Sequence, residues 1–405
     1  MNTAPLRSDV WGQPDVGKWQ RHPVLSDVLA VSASLESSDR DSLMRRWNPN
    51  ATRRYSGARG RTFDGACRNQ VSVVLATYNG AAFLVEQLES IATQTRMPDE
   101  LVVSDDASED STLTILEEFA TTAPFPVRVI RNDRRVGYAG NFERALRHCR
   151  GEYVFFSDQD DVWLETKVER VVTEFERRSA VHLVIHDLIV KPGDLIGEGR
   201  SALKTYRTQG ESVLTYVAGC ATAVRRPLLE AAQPFPRLAG IGHDTWLHML
   251  AHQLNARAVM EEALTLYRRH GGNATVSILD PDRSGGRLLS RIGRLVRSWK
   301  AARSGLRYER LAVNHALLEA VAVRLGSASA NIVNPTAAQS GAVRVASDAE
   351  RLAARIEVLY RPILHRPWAV ARLATSRLHR GTEDFHALCL DLFTRGPVDC
   401  APGRR

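Results

Sequence analysis

No stretch of this sequence approaches the roughly 18 uninterrupted apolar residues that a membrane-spanning helix needs. Its first residues, MNTAPLRSDVWGQPDVGKWQ, lack the basic-then-apolar order of a secretory signal. The expectation is a cytoplasmic protein that at most rests on the inner face of the cell membrane. Cysteine is scarce as well: Cys67, Cys149, Cys220, Cys389 and Cys400 form no C-x-x-C pair. An odd count without finger spacing speaks against a disulfide framework and a zinc module and fits a reducing compartment. No RNA-binding aromatic motif or helix-turn-helix signature occurs, so the formal charge of +8 is not expected to serve nucleic acid. Nucleoside diphosphates and acidic membrane surfaces remain as polyanionic partners.

What is present is ordinary globular material, 405 residues of which 44% are hydrophobic and 25% charged, enough for one large core and an accessory region. Residues 1–69 mix Ser, Asp, Arg, Gly and Pro with Trp11, Trp19 and Trp47 and hold no sustained period, which predicts a loosely ordered extension. Over 70–275 the grammar changes. Apolar runs such as VSVVLAT, ELVVSDD, VRVIRN and YVFFSDQDD alternate with helix-like segments such as AAFLVEQLESIATQ, STLTILEEFATTA, NFERALRHCR and KVERVVTEFERR. That alternation predicts an α/β fold, a mainly parallel sheet flanked by helices, with ligands beyond the carboxyl ends of the strands. Residues 276–405 read as a mostly helical C-terminal region, broken at SASANIVNPTAAQSG, a Ser-, Asn- and Pro-bearing stretch with the composition of a linker.

Polar clusters follow the strands. Thr77, Tyr78, Asn79 and Gly80 close the first run, where backbone N–H groups can meet a ligand or simply form a turn. Asp105 and Asp106 close the second. A cap explains Asp110 or Ser111 but not two acids at a strand end, where a carboxylate can accept from the imide N–H of a pyrimidine. Asp158, Asp160 and Asp161 follow YVFF, and three carboxylates so close repel unless a cation or solvent relieves them. On an extended strand end Asp158 and Asp160 point the same way and can share one divalent ion, Mn2+ or Mg2+ by their oxygen chemistry, which leaves structural work to Asp161. His243 and Asp244 precede an amphipathic helix, where the acid is either a cap or a general base. His270 lies in YRRHGGN among Arg268 and Arg269, which could hold phosphate oxygens.

Taken in order, TYNG, SDDASEDST, NDRRVGYAGNFERAL, SDQDDVW, AGCATAVRR, HDTWL and YRRHGGN resemble the landmarks of the inverting family-two glycosyltransferases of GT-A fold. DQDDVW with HDTWL is most similar to members described as rhamnosyltransferase-like. The resemblance covers about half the chain, residues 71–275. It implies that Thr77, Tyr78, Asp105 and Asp106 line a nucleoside pocket, with Asp158 also on the donor. It implies that Asp158 and Asp160 form the D-x-D metal motif, that His270 completes the metal site, and that Asp244 is the general base. The family's usual acid before that base is His243 here. The donor implied is a nucleotide diphosphate sugar, dTDP-rhamnose first, and the acceptor a hydroxyl of a glycan or lipid-linked intermediate in cell-envelope polysaccharide synthesis. A non-catalytic sugar-nucleotide or glycan-binding module of the same fold is the competing expectation.

Residues 283–310 place Leu288, Leu289, Ile292, Leu295, Val296, Trp299 and Leu306 at helical steps, with nine basic residues against the single acid Glu309. Such a helix either packs on the catalytic domain or makes a peripheral contact with anionic lipid. Sedimentation with anionic against neutral vesicles separates the two.

Overall fold

The computed structural model describes residues 69–209, 212–213, 216–236, 238, 241–271, 306–359 and 366–374. The N-terminal extension up to residue 68 and the basic segment 283–305 lie outside them. One sheet organises the described part, in the order β3-β2-β1-β4-β8-β6-β9-β5, with β7 added on β6. Its first half is parallel: β1 (Val71–Thr77), β2 (Glu100–Asp105), β3 (Val127–Arg131) and β4 (Tyr153–Ser157). The second half is mixed, built from β5 (Val162–Trp163), β6 (Leu183–Pro192), β7 (Arg200–Ser201), β8 (Thr222–Arg225) and β9 (Arg257–Arg269). There β6 and β9 run parallel, and β8 is antiparallel to both β4 and β6.

Both faces of the parallel half are covered, which is why β1 reads as an apolar run interrupted only by Ser72 before its closing Thr77, rather than as an alternating one. Helices α1 (Leu84–Ala92), α2 (Thr112–Thr122), α3 (Gly137–Leu146) and α4 (Lys167–Arg177) provide the crossovers. In α4, Val168, Val171, Val172 and Phe175 recur at steps of three and four and are all fully buried against the sheet. Each such side chain contributes about 1.5–3 kcal/mol on burial. Sequence alone starts the third helix at Asn141, whereas α3 begins at Gly137. The Asp106 carboxylate accepts from Val136 N at 2.7 Å and Gly137 N at 2.9 Å, supplying the partner that first-turn amides lack.

The register sets the site. Thr77 lies opposite Asp105, and Leu75 opposite Ser157, so the polar residues after β1, β2 and β4 emerge side by side at one edge. Further on come α5 (Ala202–Thr208), a short 3-10 turn at Gly219–Ala221, α6 (Arg226–Ala232) and α7 (His243–Gln253).

The C-terminal part contains α8 (Leu306–Leu325), α9 (Ala328–Val333), α10 (Pro335–Leu359) and α11 (Arg366–Ala374). The linker reading of 327–341 is overturned, because α9 and the start of α10 occupy it. Asn334 is extended, as a residue before proline must be, and its Oδ1 accepts from Ala337 N at 3.0 Å. Asn-Pro is here a helix start, with proline at the first helical position. Arg324 donates to Gln233 O at 2.6 Å and Asn334 Nδ2 to Leu254 O at 3.1 Å, fastening these helices to the ends of α6 and α7.

Buried imidazoles make the fold acid-sensitive. Burial, then the Arg225 guanidinium, pushes His182 down to about 4, and burial likewise lowers His186, His243 and His248. Between about pH 6.5 and 4 the unfolded chain binds protons at these rings that the folded one refuses. Stability is therefore expected to fall as pH drops through that window. Melting temperature against pH reads it, and His182→Gln should lessen the fall.

Candidate active site

The loop after β1 is fixed by its neighbours. Asn79 takes a left-handed φ of 47°, which asparagine tolerates, and its N–H donates to Ser108 Oγ at 2.9 Å while its Oδ1 accepts from Glu109 N. Gly80 N donates to Thr112 Oγ1 at 2.8 Å. A Cβ on Gly80 would run into the Gln159 amide and displace it from its present place. Gln159 accepts from Tyr78 N at 2.8 Å and donates to Tyr78 O at 3.0 Å, binding the loops after β1 and β4 to each other. Sequence reasoning gave Gln159 no role; its only signal is its place between two aspartates.

Thr77, Asp105 and Asp106 are all buried. Asp105 accepts from Thr77 Oγ1 at 3.0 Å and from the amide and hydroxyl of Ser108. Asp106 accepts from the two α3 amides and from Asn132 Nδ2, which also donates to Asn141 Oδ1. Asn141 in turn donates to Thr77 O. Both carboxylates therefore hold loops in place with the chain's own donors. The more open group here is Tyr78, whose ring carries the Arg135 guanidinium 3.7 Å from its centroid. Asn132, Asn141 and Arg135 lie within NDRRVGYAGNFERAL, but nothing in that stretch shows them meeting Asp106 and Tyr78.

After Ser157 the chain bends instead of continuing as a strand, which removes the basis for placing Asp158 and Asp160 on one side by alternation. Asp160 Oδ2 meets His270 Nε2 at 2.8 Å, and the His270 ring packs on Phe83 with centroids 4.6 Å apart. Asp158 instead gathers with Asp161 and Cys220, the ligand atoms of all three lying within 4.8 Å of one another. Burial first, then the charges of Asp161, Asp160 and Asp244, pushes the Asp158 carboxyl well above the usual range. Asp161 is pushed up to about 7 by burial and by Asp160. Lys167 is fully buried and is pushed down to about 7 by burial. It donates to Cys220 O at 2.7 Å and Thr265 Oγ1 at 3.1 Å and lies over the Trp163 ring.

Asp158, Asp160 and His270 supply the donor types that Mn2+ or Mg2+ accepts, and of these the structure brings Asp160 to His270 while Asp158 lies with Asp161 and Cys220. The residues present thus fit a divalent ion. Arg268 does not serve phosphate as the sequence had offered. It is buried and donates to Asp160 O at 2.8 Å, Gly193 O at 2.6 Å and Glu86 Oε2 at 2.6 Å, tying the D-x-D bend to α1.

Asp244 arrives from the first turn of α7. Its neighbour His243 is buried, its ring 4.2 Å from that of Phe142 and 5.0 Å from that of Phe156, with neither ring nitrogen hydrogen-bonded. Phe156 lies just before Asp158, so this stacking brings Asp244 to the end of β4. Asp244 Oδ1 accepts from Thr245 N at 2.7 Å, and Tyr138 is near enough that the Asp244 charge adds to burial in raising its hydroxyl.

Comparison with known proteins finds a family model and several relatives that match this chain. The model of Glycosyl transferase family 2 matches residues 72–231. The dTDP-rhamnosyl transferase RfbG of Shigella flexneri is 38% identical over 102 residues, 24% of this chain and 35% of that protein. The UDP-Glc:alpha-D-GlcNAc-diphosphoundecaprenol beta-1,3-glucosyltransferase WfgD of Escherichia coli is 25% identical over 180 residues, 44% of this chain and 69% of that protein. The match thus spans about a third of the length of the first and about two thirds of the second. Among solved structures, S. aureus TarS 1-349 in complex with UDP aligns with a TM-score of 0.46 and 15% identity, covering 80% of this chain and 89% of that one.

Proposed function

From the premise that residues 72–231 are a family-two glycosyltransferase domain, we propose that the protein moves a sugar from a nucleotide diphosphate donor to a hydroxyl of a glycan or lipid-linked acceptor, with inversion. The observation that carries this reading is that His243, stacked on Phe142 and Phe156, sets the neighbouring Asp244 near the end of β4, from which the D-x-D bend follows. A binding module has no chemical use for a base placed beside a donor site.

Thr77, Tyr78, Asp105 and Asp106 frame the nucleoside, the two acids by fixing the loops and Tyr78 with Arg135 by offering a face. Asp158, Asp160 and His270 are the residues that would hold Mn2+ or Mg2+, and such an ion would supply positive charge against the departing diphosphate. Asp244 accepts the proton of the acceptor hydroxyl as that oxygen bonds to the anomeric carbon and the bond to the diphosphate oxygen breaks. One of its carboxylate oxygens is held by Thr245 N, and the other is left for the acceptor. The similarity to a dTDP-rhamnosyl transferase makes dTDP-rhamnose the first donor to try, and the similarity to WfgD supports a diphosphoundecaprenol-linked acceptor.

The test is a panel of dTDP-, UDP- and GDP-sugars scored by nucleotide diphosphate release with and without Mn2+. Release should depend on the metal and favour one donor. Metal-independent release would remove the ion from the mechanism, and donor binding without release would leave a binding module.

No helix among the described residues is long and apolar enough to cross a membrane.

A further inference from the structure

Behind the outer face of the D-x-D bend lies a donor set of different chemistry. Asp158, Asp161 and Cys220 converge to within 4.8 Å, and one member is a free thiol. Asp161 is fully buried. Its Oδ1 accepts from Arg268 N at 3.1 Å, whereas its Oδ2 makes no well-formed hydrogen bond and has the Cys220 thiol as its polar neighbour. Lys167, fully buried beside this cluster, does not repair this, since its hydrogen bonds go to the Cys220 carbonyl and Thr265. A buried carboxylate oxygen whose one polar neighbour is a thiol is poorly satisfied, so the arrangement calls for a positive partner.

We propose that Asp158, Asp161 and Cys220 form a second divalent-ion position, selective for a thiophilic ion such as Zn2+, that shares Asp158 with the Asp160 and His270 side. The chemistry of the ligands separates the two. Oxygen and imidazole suit Mn2+ or Mg2+, while a thiolate selects zinc or cadmium, and zinc also outranks manganese on any common donor set. As the metal–sulfur bond forms, the Cys220 proton leaves to solvent, because a coordinating thiol is deprotonated. Charge then closes: two carboxylates and a thiolate balance the ion together with the Lys167 ammonium. Asp158 is the partly exposed member and marks the way in. Resting on the donor-site reading above, a further consequence is that an ion held here withdraws Asp158 from the outer position, so that Zn2+ opposes Mn2+.

The experiment titrates the full chain with Cd2+ and no donor, reading the thiolate-to-cadmium charge-transfer absorption. A variant with Cys67, Cys149, Cys389 and Cys400 all replaced by alanine should keep the band at one ion per chain, and Asp160→Ala should keep it too. Cys220→Ser should abolish it and Asp161→Asn should weaken cadmium binding at least tenfold, with melting temperature confirming that each is folded. Cys220→Ala serves if the serine does not fold. A band that survives loss of Cys220, or no band in the Cys220-only protein, overturns the site whether or not transfer is ever detected. With transfer in hand, Zn2+ should inhibit Mn2+-supported turnover at a lower concentration in the wild type than in Cys220→Ser, where only the outer position is left for it.

Discussion

Asp160→Ala is expected to abolish sugar transfer while leaving the protein folded. Asp160 Oδ2 faces His270 Nε2 at 2.8 Å, so the substitution removes a carboxylate from the pair that would complete the ion. The bend itself depends on other groups. Arg268 grips the Asp160 carbonyl, which alanine retains, and Gln159 keeps its two hydrogen bonds to Tyr78. His270 loses a partner but keeps its packing on Phe83. Removing one preorganised group that stabilises transition-state charge lowers turnover by about a hundredfold to a thousandfold, and loss of the ion altogether should exceed that. Turnover at saturating Mn2+, with melting temperature as the control for folding, decides it. Wild-type rates in the variant, or in the wild type with chelator, would end the metal reading.

The parallel half of the fold is legible in the sequence because its information is local. Buried strands there are short apolar runs, and α4 shows its inner face at every third or fourth residue. Strand β9 is harder. RAVMEEALTLYRR carries two adjacent glutamates and only becomes a strand by pairing with β6 and β5, contacts that no local pattern announces. The same limit governs the site. Asp105 and Asp106 stand out as acids at a strand end, but their burial depends on amides and amides' neighbours from a loop 26 to 31 residues on in the case of Asp106. Alternation would place Asp158 with Asp160, yet the bend after Ser157 turns Asp161 inward toward Cys220, which arrives from a distant turn. In the C-terminal region, composition misled for a local reason: Asn-Pro breaks one helix and starts the next, and a linker and a helix junction share that dipeptide.

Asp244→Asn should separate chemistry from structure more cleanly than any other substitution. Asparagine has the same outline, and its side-chain oxygen can still accept from Thr245 N, so the first turn of α7 keeps its contact. His243 stays stacked on Phe142 and Phe156, holding the helix end beside β4. What disappears is the proton acceptor. Loss of a general base costs about a hundredfold to ten-thousandfold in rate, and the fall should appear in kcat, with the binding of nucleotide sugar retained. The neighbouring groups sharpen the expectation. Asp244 adds its charge to those that raise Asp158, so its neutralisation makes Asp158 easier to ionise rather than harder, and the substitution gives no reason for the D-x-D side to lose its ion. Donor affinity and transfer rate measured on the same preparation give the answer. A variant that turns over within a few-fold of wild type would place the base on another residue, and one that loses donor binding in parallel with rate would make Asp244 part of the donor site instead.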